Sequence, residues 1–113
     1  MPLRTLAVYL SIYSFLTAQD MPTILSTNVD KTQTGLVIKF QLSSYIERSD
    51  ISSWIERDNW FILNVYNIIR PEEGFFSNII QYPIDDIQQN WSQNALQLSL
   101  HINQNIGRFD VIL

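Results

Sequence analysis

The sequence predicts an all-β fold, a small β-sandwich of two antiparallel sheets with about six to seven strands. Three observations predict it. Apolar residues alternate with polar ones at period two along most of the chain. Turn-forming residues recur at a spacing of about ten, as in sandwich domains. No stretch carries a convincing helical period, the best being "IDDIQQNW" at residues 84–91, which reads better as a loop or a bulged strand.

Taken in order, "GLVIKFQLS" sets Leu36, Ile38, Phe40 and Leu42 against Val37, Lys39 and Gln41, with Gly35 and the preceding "DKTQT" marking the turn before it. "ISSWIE" is a shorter strand. "RDN" at residues 57–59 supplies the reversal into the next one, because Asp and Asn tolerate the left-handed backbone of tight turns. "NWFILNVYN" then has a plain core face, Phe61, Leu63 and Val65, and a second face of Trp60, Ile62, Asn64 and Tyr66. "PEEGFF" is a polar loop, and "SNIIQYPI" reads as a strand that Pro83 ends or confines to an edge. "ALQLSLHI" is the clearest strand: Leu96, Leu98, Leu100 and Ile102 face inward, while Ala95, Gln97, Ser99 and His101 face outward. "RFDVIL" begins a last strand that still wants a partner at Leu113, so residues 22–113 read as one sandwich domain, the N-terminal part of a longer protein.

The first twenty residues, "MPLRTLAVYLSIYSFLTAQD", have the layout of a secretory signal. One basic residue, Arg4, precedes an apolar run from Leu6 to Leu16 and the small residue Ala18. The run is shorter than the roughly 20 apolar residues of a membrane span. Residues 1–18 are therefore expected to be a leader and the protein to be periplasmic or otherwise exported into a bacterial envelope. The other reading of the same stretch is an alternating N-terminal strand.

Composition narrows the function classes. The chain has 113 residues, 46% hydrophobic and 16% charged, so it can bury an ordinary core. A formal charge of −4 with scattered basic residues argues against nucleic acid, which calls for clustered Lys and Arg. Cysteine is absent, which removes disulfides and thiolate metal sites. No nucleophile elbow, phosphate loop or paired-His motif occurs. The only histidine, His101, has Gln97 and Ser99 rather than carboxylates along its own strand, and reads as a solvated side chain. Asp85-Asp86 and Glu72-Glu73 lack the alternating spacing of a calcium loop. "NWS" at Asn90 is a short glycosylation pattern of little weight. No catalysis, metal or cofactor is expected.

The aromatic and amide residues carry the remaining signal. Trp60, Tyr66 and Trp91 lie near a run dense in Gln and Asn, "IQQNWSQNALQLSLHINQN". Flat aromatic faces with amide donors and acceptors suit sugar polymers. Trp60, Asn64, Tyr66 and Trp91 are the candidate binding residues. The competing expectation, and the preferred one, is that the aromatics are core and that residues 71–76 cover the Trp60–Tyr66 face.

The order of these segments resembles an AMIN domain, the small β-sandwich of bacterial envelope proteins such as cell-wall amidases and type IV pilus secretins. The stretches that carry the resemblance are "GLVIKFQLS", "WFILNVYN", "NIIQYPIDDIQQNWSQNALQLSL" and "RFDVIL", within residues 22–113. The family's frequent Asp in its second strand is Asn64 here, and its Arg before the third apolar run has no counterpart at Asn94 or Ala95. No binding residue is therefore carried over. The resemblance implies a non-catalytic localisation module that holds a larger protein at the envelope by binding peptidoglycan or an envelope protein. The alternative is an exported interaction module that docks by strand addition.

Overall fold

Side-chain alternation decides which face of each strand is buried, and the buried faces assemble into two layers. The structure, a computed structural model, describes residues 3–12, 21–33, 35–71 and 75–113. The described residues form strands β1 (Leu3–Ile12), β2 (Ile24–Lys31), β3 (Gly35–Leu42), β4 (Ile51–Glu56), β5 (Trp60–Tyr66), β6 (Ile84–Ser92), β7 (Ala95–Ile102) and β8 (Ile106–Ile112). One four-stranded sheet has the order β2-β3-β1-β8 and the other β4-β5-β7-β6. Leu6, Val8, Leu36, Ile38 and Phe40 of the first sheet share one core with Phe61, Leu63, Val65, Leu98 and Leu100 of the second. The rings of Phe61 and Phe109 meet across the layers at 5.5 Å. The sandwich expectation holds, with eight strands instead of six to seven.

The expectation that both sheets are antiparallel does not hold. The second sheet is antiparallel throughout. In the first, β1 runs parallel to both β3 and β8. Residues 3–12 of the segment read as a leader form a central strand of this sheet, with Leu6, Val8 and Leu10 inward, and residues 13–18 lie outside the described residues. Gly107 permits the close approach of β8 to β1, since a Cβ there would meet the Arg4 carbonyl oxygen at 3.0 Å.

Three other segments differ from or sharpen their sequence reading. "SNIIQYPI" is not a strand: a 3₁₀ turn spans Phe75–Ile79 and leads into a turn before β6. The buried residues there, Phe76 and Ile79, are three apart, which is the repeat of a 3₁₀ helix rather than of a strand. "IDDIQQNW" is the bulged strand β6, its register slipping between Ile84 and Asp86. β2 carries mostly Ser, Thr, Asn and charged residues, and its one fully buried side chain, Ile24, gives no alternation to read. Both edges of the first sheet are held by side chains. Asn78 donates to the Thr27 carbonyl of β2 at 3.4 Å, and Arg48 donates to the Val111 carbonyl of β8 at 2.9 Å.

Candidate functional site

The residues of interest are placed by the β4–β5 hairpin and by the registers that follow from it. Arg57–Asn59 makes the reversal, with Asp58 and Asn59 both in the left-handed region (φ 62° and 63°). Asn67 ends β5 the same way, at φ 59°. The two asparagines that bracket β5 are turn formers, as the sequence suggests. The hairpin pairs Glu56 with Trp60, Trp54 with Ile62 and Ser52 with Asn64. β7 then sets His101 beside Trp60, Ser99 beside Ile62 and Gln97 beside Asn64, and β6 adds Asp86, Gln88 and Asn90. The outer face of the second sheet is therefore a grid of aromatic, amide and acidic side chains with no Lys or Arg among its paired positions.

This face is open. Tyr66 is 50% exposed, while Trp60 and Asn64 are half-buried. The expectation that residues 71–76 cover it fails for the described part of that segment. Phe76 turns into the core instead, edge-on to Phe40 at 6.1 Å, because a buried ring there completes the layer between the sheets. Residues 72–74, including Glu72 and Glu73, lie outside the described residues. Three adjoining depressions follow the strands. The first, about 270 Å³, includes Asn64, Tyr66, Asn90 and Gln97. The second, about 370 Å³, shares Asn90 and Gln97 and adds Trp54, Glu56, Trp60, Ile62, Gln88 and Ser99. The third shares Trp60 and adds Asp58, Asp85, Asp86 and His101. At the strand rise, β5 alone gives the trough a length of about 20 Å.

The floor and walls have distinct chemistry. Ser99 is only 8% exposed, and its hydroxyl has no hydrogen-bond partner among the described residues, so it is offered to the central depression. The side chains of Asn64, Gln88, Asn90 and Gln97 likewise make no bond within the described residues. Trp54 donates its indole N–H to Glu56 Oε1 at 3.0 Å, which orients the carboxylate at the rim. No cation pairs with Glu56 among the described residues. At the far end His101 Nδ1 lies 2.5 Å from Asp85 Oδ1, under the Trp60 ring at 5.0 Å.

Comparison with protein-family models, with characterised proteins and with solved structures finds no match to this chain. The resemblance to an AMIN domain thus rests on the quoted segments alone.

Of the four residues singled out in the sequence, Trp60, Asn64 and Tyr66 share the outer face of β5, and Trp91 lines the first depression together with Asn64 and Tyr66. Trp91 pairs with the inward Leu96, packs against the core margin and donates its N–H to Gln89 Oε1 at 2.8 Å, with Arg70 over its ring at 5.8 Å. Sequence reasoning missed Trp54 and Glu56. Alternation in "ISSWIE" already put Ser52, Trp54 and Glu56 on one face, and a register counted back through the "RDN" turn would have found them. The reading of His101 as a solvated side chain without a carboxylate is corrected, because Asp85 comes from the neighbouring strand rather than its own. The hydrogen bond to Asp85 holds the imidazole pKa above the usual histidine value, with desolvation pulling the other way. His101, Asp85 and Ser99 are the residue types of a hydrolytic triad. Ser99 makes no hydrogen bond to His101, however, so the hydroxyl is not activated in this arrangement. The described residues contain no group of ligands suited to a metal ion, and no helix among them is long and apolar enough to cross a membrane.

Proposed function

We propose that this protein is a non-catalytic binding module that holds a polysaccharide along the outer face of its second sheet. The observation that carries the reading is Ser99, a residue only 8% exposed whose hydroxyl opens onto the floor of a trough walled by Trp54 and Trp60 and has no partner among the described residues. A pyranose ring offers C–H groups to aromatic faces and hydroxyls to amides, and this trough supplies both. The setting we propose is the bacterial envelope, with peptidoglycan as the polymer and a larger protein as the cargo, in the manner of the AMIN-like modules the sequence resembles. Docking by strand addition is the second reading: Asn78 and Arg48 each occupy one carbonyl at the edges of the first sheet, and β4 and β6 form the edges of the second.

Sedimentation with purified peptidoglycan sacculi tests the reading. The intact protein is expected to co-sediment. Asn64→Ala combined with Tyr66→Ala is expected to weaken attachment about tenfold, the equivalent of 1.4 kcal/mol. The same variant should melt within about 0.5 kcal/mol of the parent, since neither side chain lies in the core or is bonded within the described residues. Loss of stability with unchanged attachment would show that these side chains serve the fold instead.

A further inference from the structure

The charge and shape of the central depression narrow the ligand further, given the polysaccharide reading above. We propose that, along such a polymer, this depression selects the minority of hexosamine units whose amine is free over the N-acetylated ones around them, seating the ammonium against Glu56 and the indole rings while Ser99 meets a ring hydroxyl. Three observations and one general principle support this. Glu56 is oriented by the Trp54 N–H at 3.0 Å and has no cation partner among the described residues. Trp54 and Trp60 are diagonal neighbours on the β4–β5 ladder, and both line the depression. Aromatic rings beside a carboxylate are the chemistry that recognises an organic ammonium, through the ring quadrupole and the charge together. Ser99 is 8% exposed and its hydroxyl has no partner among the described residues, so a ligand hydroxyl would meet an uncommitted bonding group on the floor of the depression.

The surrounding charges act in the same direction. Beyond Trp60 the trough continues past Asp58, Asp85 and Asp86, and the histidine there is engaged by Asp85. Among the described residues no Lys or Arg lines the three depressions, and Arg70 stands at the margin of the first, over the Trp91 ring. A polymer rich in carboxylates would meet a face of its own sign, whereas one with ammonium groups would not. An N-acetylated unit keeps the sugar ring and the hydroxyls but gives Glu56 an amide in place of a cation.

The test is titration calorimetry of the intact protein at about pH 6, below the range of an aliphatic amine. The probes are an oligomer of β-1,4-linked glucosamine, its fully N-acetylated counterpart and an oligouronate. The glucosamine oligomer is expected to bind roughly tenfold tighter than the acetylated one, the ratio that 1.4 kcal/mol produces. In Glu56→Gln that ratio should collapse toward one, and added salt should shrink it in the parent. Ser99→Ala should weaken both hexosamine oligomers alike. Equal affinity for the two hexosamine oligomers would overturn the amine preference and leave the polysaccharide reading standing. Tighter binding of the oligouronate would overturn it too. Failure of all three to bind would remove the polysaccharide reading itself. Glu56 is exposed at the end of an edge strand, and a melting curve matching the parent's confirms that the variant is folded.

Discussion

At the scale of single residues, the outer face of the second sheet is governed by who holds whose hydrogen bond. Asn59 and Asn67 spend their backbones on left-handed turns and their amides on Asn105 and Asp50, both at 3.3 Å, so they bracket the trough without lining it. That role was legible from the sequence, because an asparagine at each end of an apolar run has a local, mechanical meaning. The role of Ser99 was not. Its outward direction could be counted along β7, but its near-complete burial depends on neighbours from β5 and β6 that no local pattern names. His101 gives a prediction at this scale. Its pKa is raised in the folded state, chiefly by the bond to Asp85, and Asp86 and Asp58 act in the same sense. A group with a raised folded pKa stabilises fully below its unfolded value, about 6.5 for histidine. That contribution is lost as pH rises through the folded value. Chemical denaturation of the parent and of His101→Gln should therefore differ most in mildly acidic buffer and converge in alkaline buffer. A difference that grows with pH would contradict the assignment. Because the side chain remains about a quarter exposed, the effect is expected to be modest.

At the scale of elements, readability followed the number of buried faces. β3 and β7 each show four consecutive inward positions that are nearly fully buried, Leu36 to Leu42 and Leu96 to Ile102, and both were evident from alternation alone. β2 was not, since an edge strand with one buried apolar side chain has little pattern to display. The 3₁₀ turn Phe75–Ile79 is not evident from "SNIIQYPI" because that segment starts at Ser77 and leaves out Phe76, the buried residue whose spacing of three to Ile79 marks the turn. Leu98 tests the packing of these layers. It is 1% exposed on a central strand, paired with the equally buried Leu63. Leu98→Ala is expected to lower stability by about 2–5 kcal/mol, the range for truncating a core leucine. Thermal or urea unfolding reads it directly, and a loss below about 1 kcal/mol would mean the two sheets are not packed as described.

At the scale of the whole molecule, the decisive feature is a strand pairing that no local pattern announces. The first residues could be read as an apolar leader or as an alternating strand, and period two alone did not separate these readings. The difference lies in partners: β1 sits between β3 and β8, with Leu6 level with Leu36 on one side and with Phe109 on the other. Those partners are about 30 and 100 positions away, and pairing of such reach is the costliest part of a topology for a chain to find. Cutting after Ala18 would remove this strand. It would leave β3 and β8 with no shared neighbour and take Leu3, Leu6, Val8 and Leu10 out of the core. At about 1.5–3 kcal/mol for each large buried side chain, that loss rivals the about 5–15 kcal/mol by which a domain is stable at all. A chain lacking residues 1–18 is therefore expected to lose its cooperative thermal transition and the dispersed amide spectrum of a β-sandwich. If the protein acts in the envelope as proposed, mass spectrometry of folded, exported material should find residues 3–12 still attached. A truncated chain that melts cooperatively near the temperature of the full one would show that β1 is dispensable, and would return its apolar run to the role of a leader.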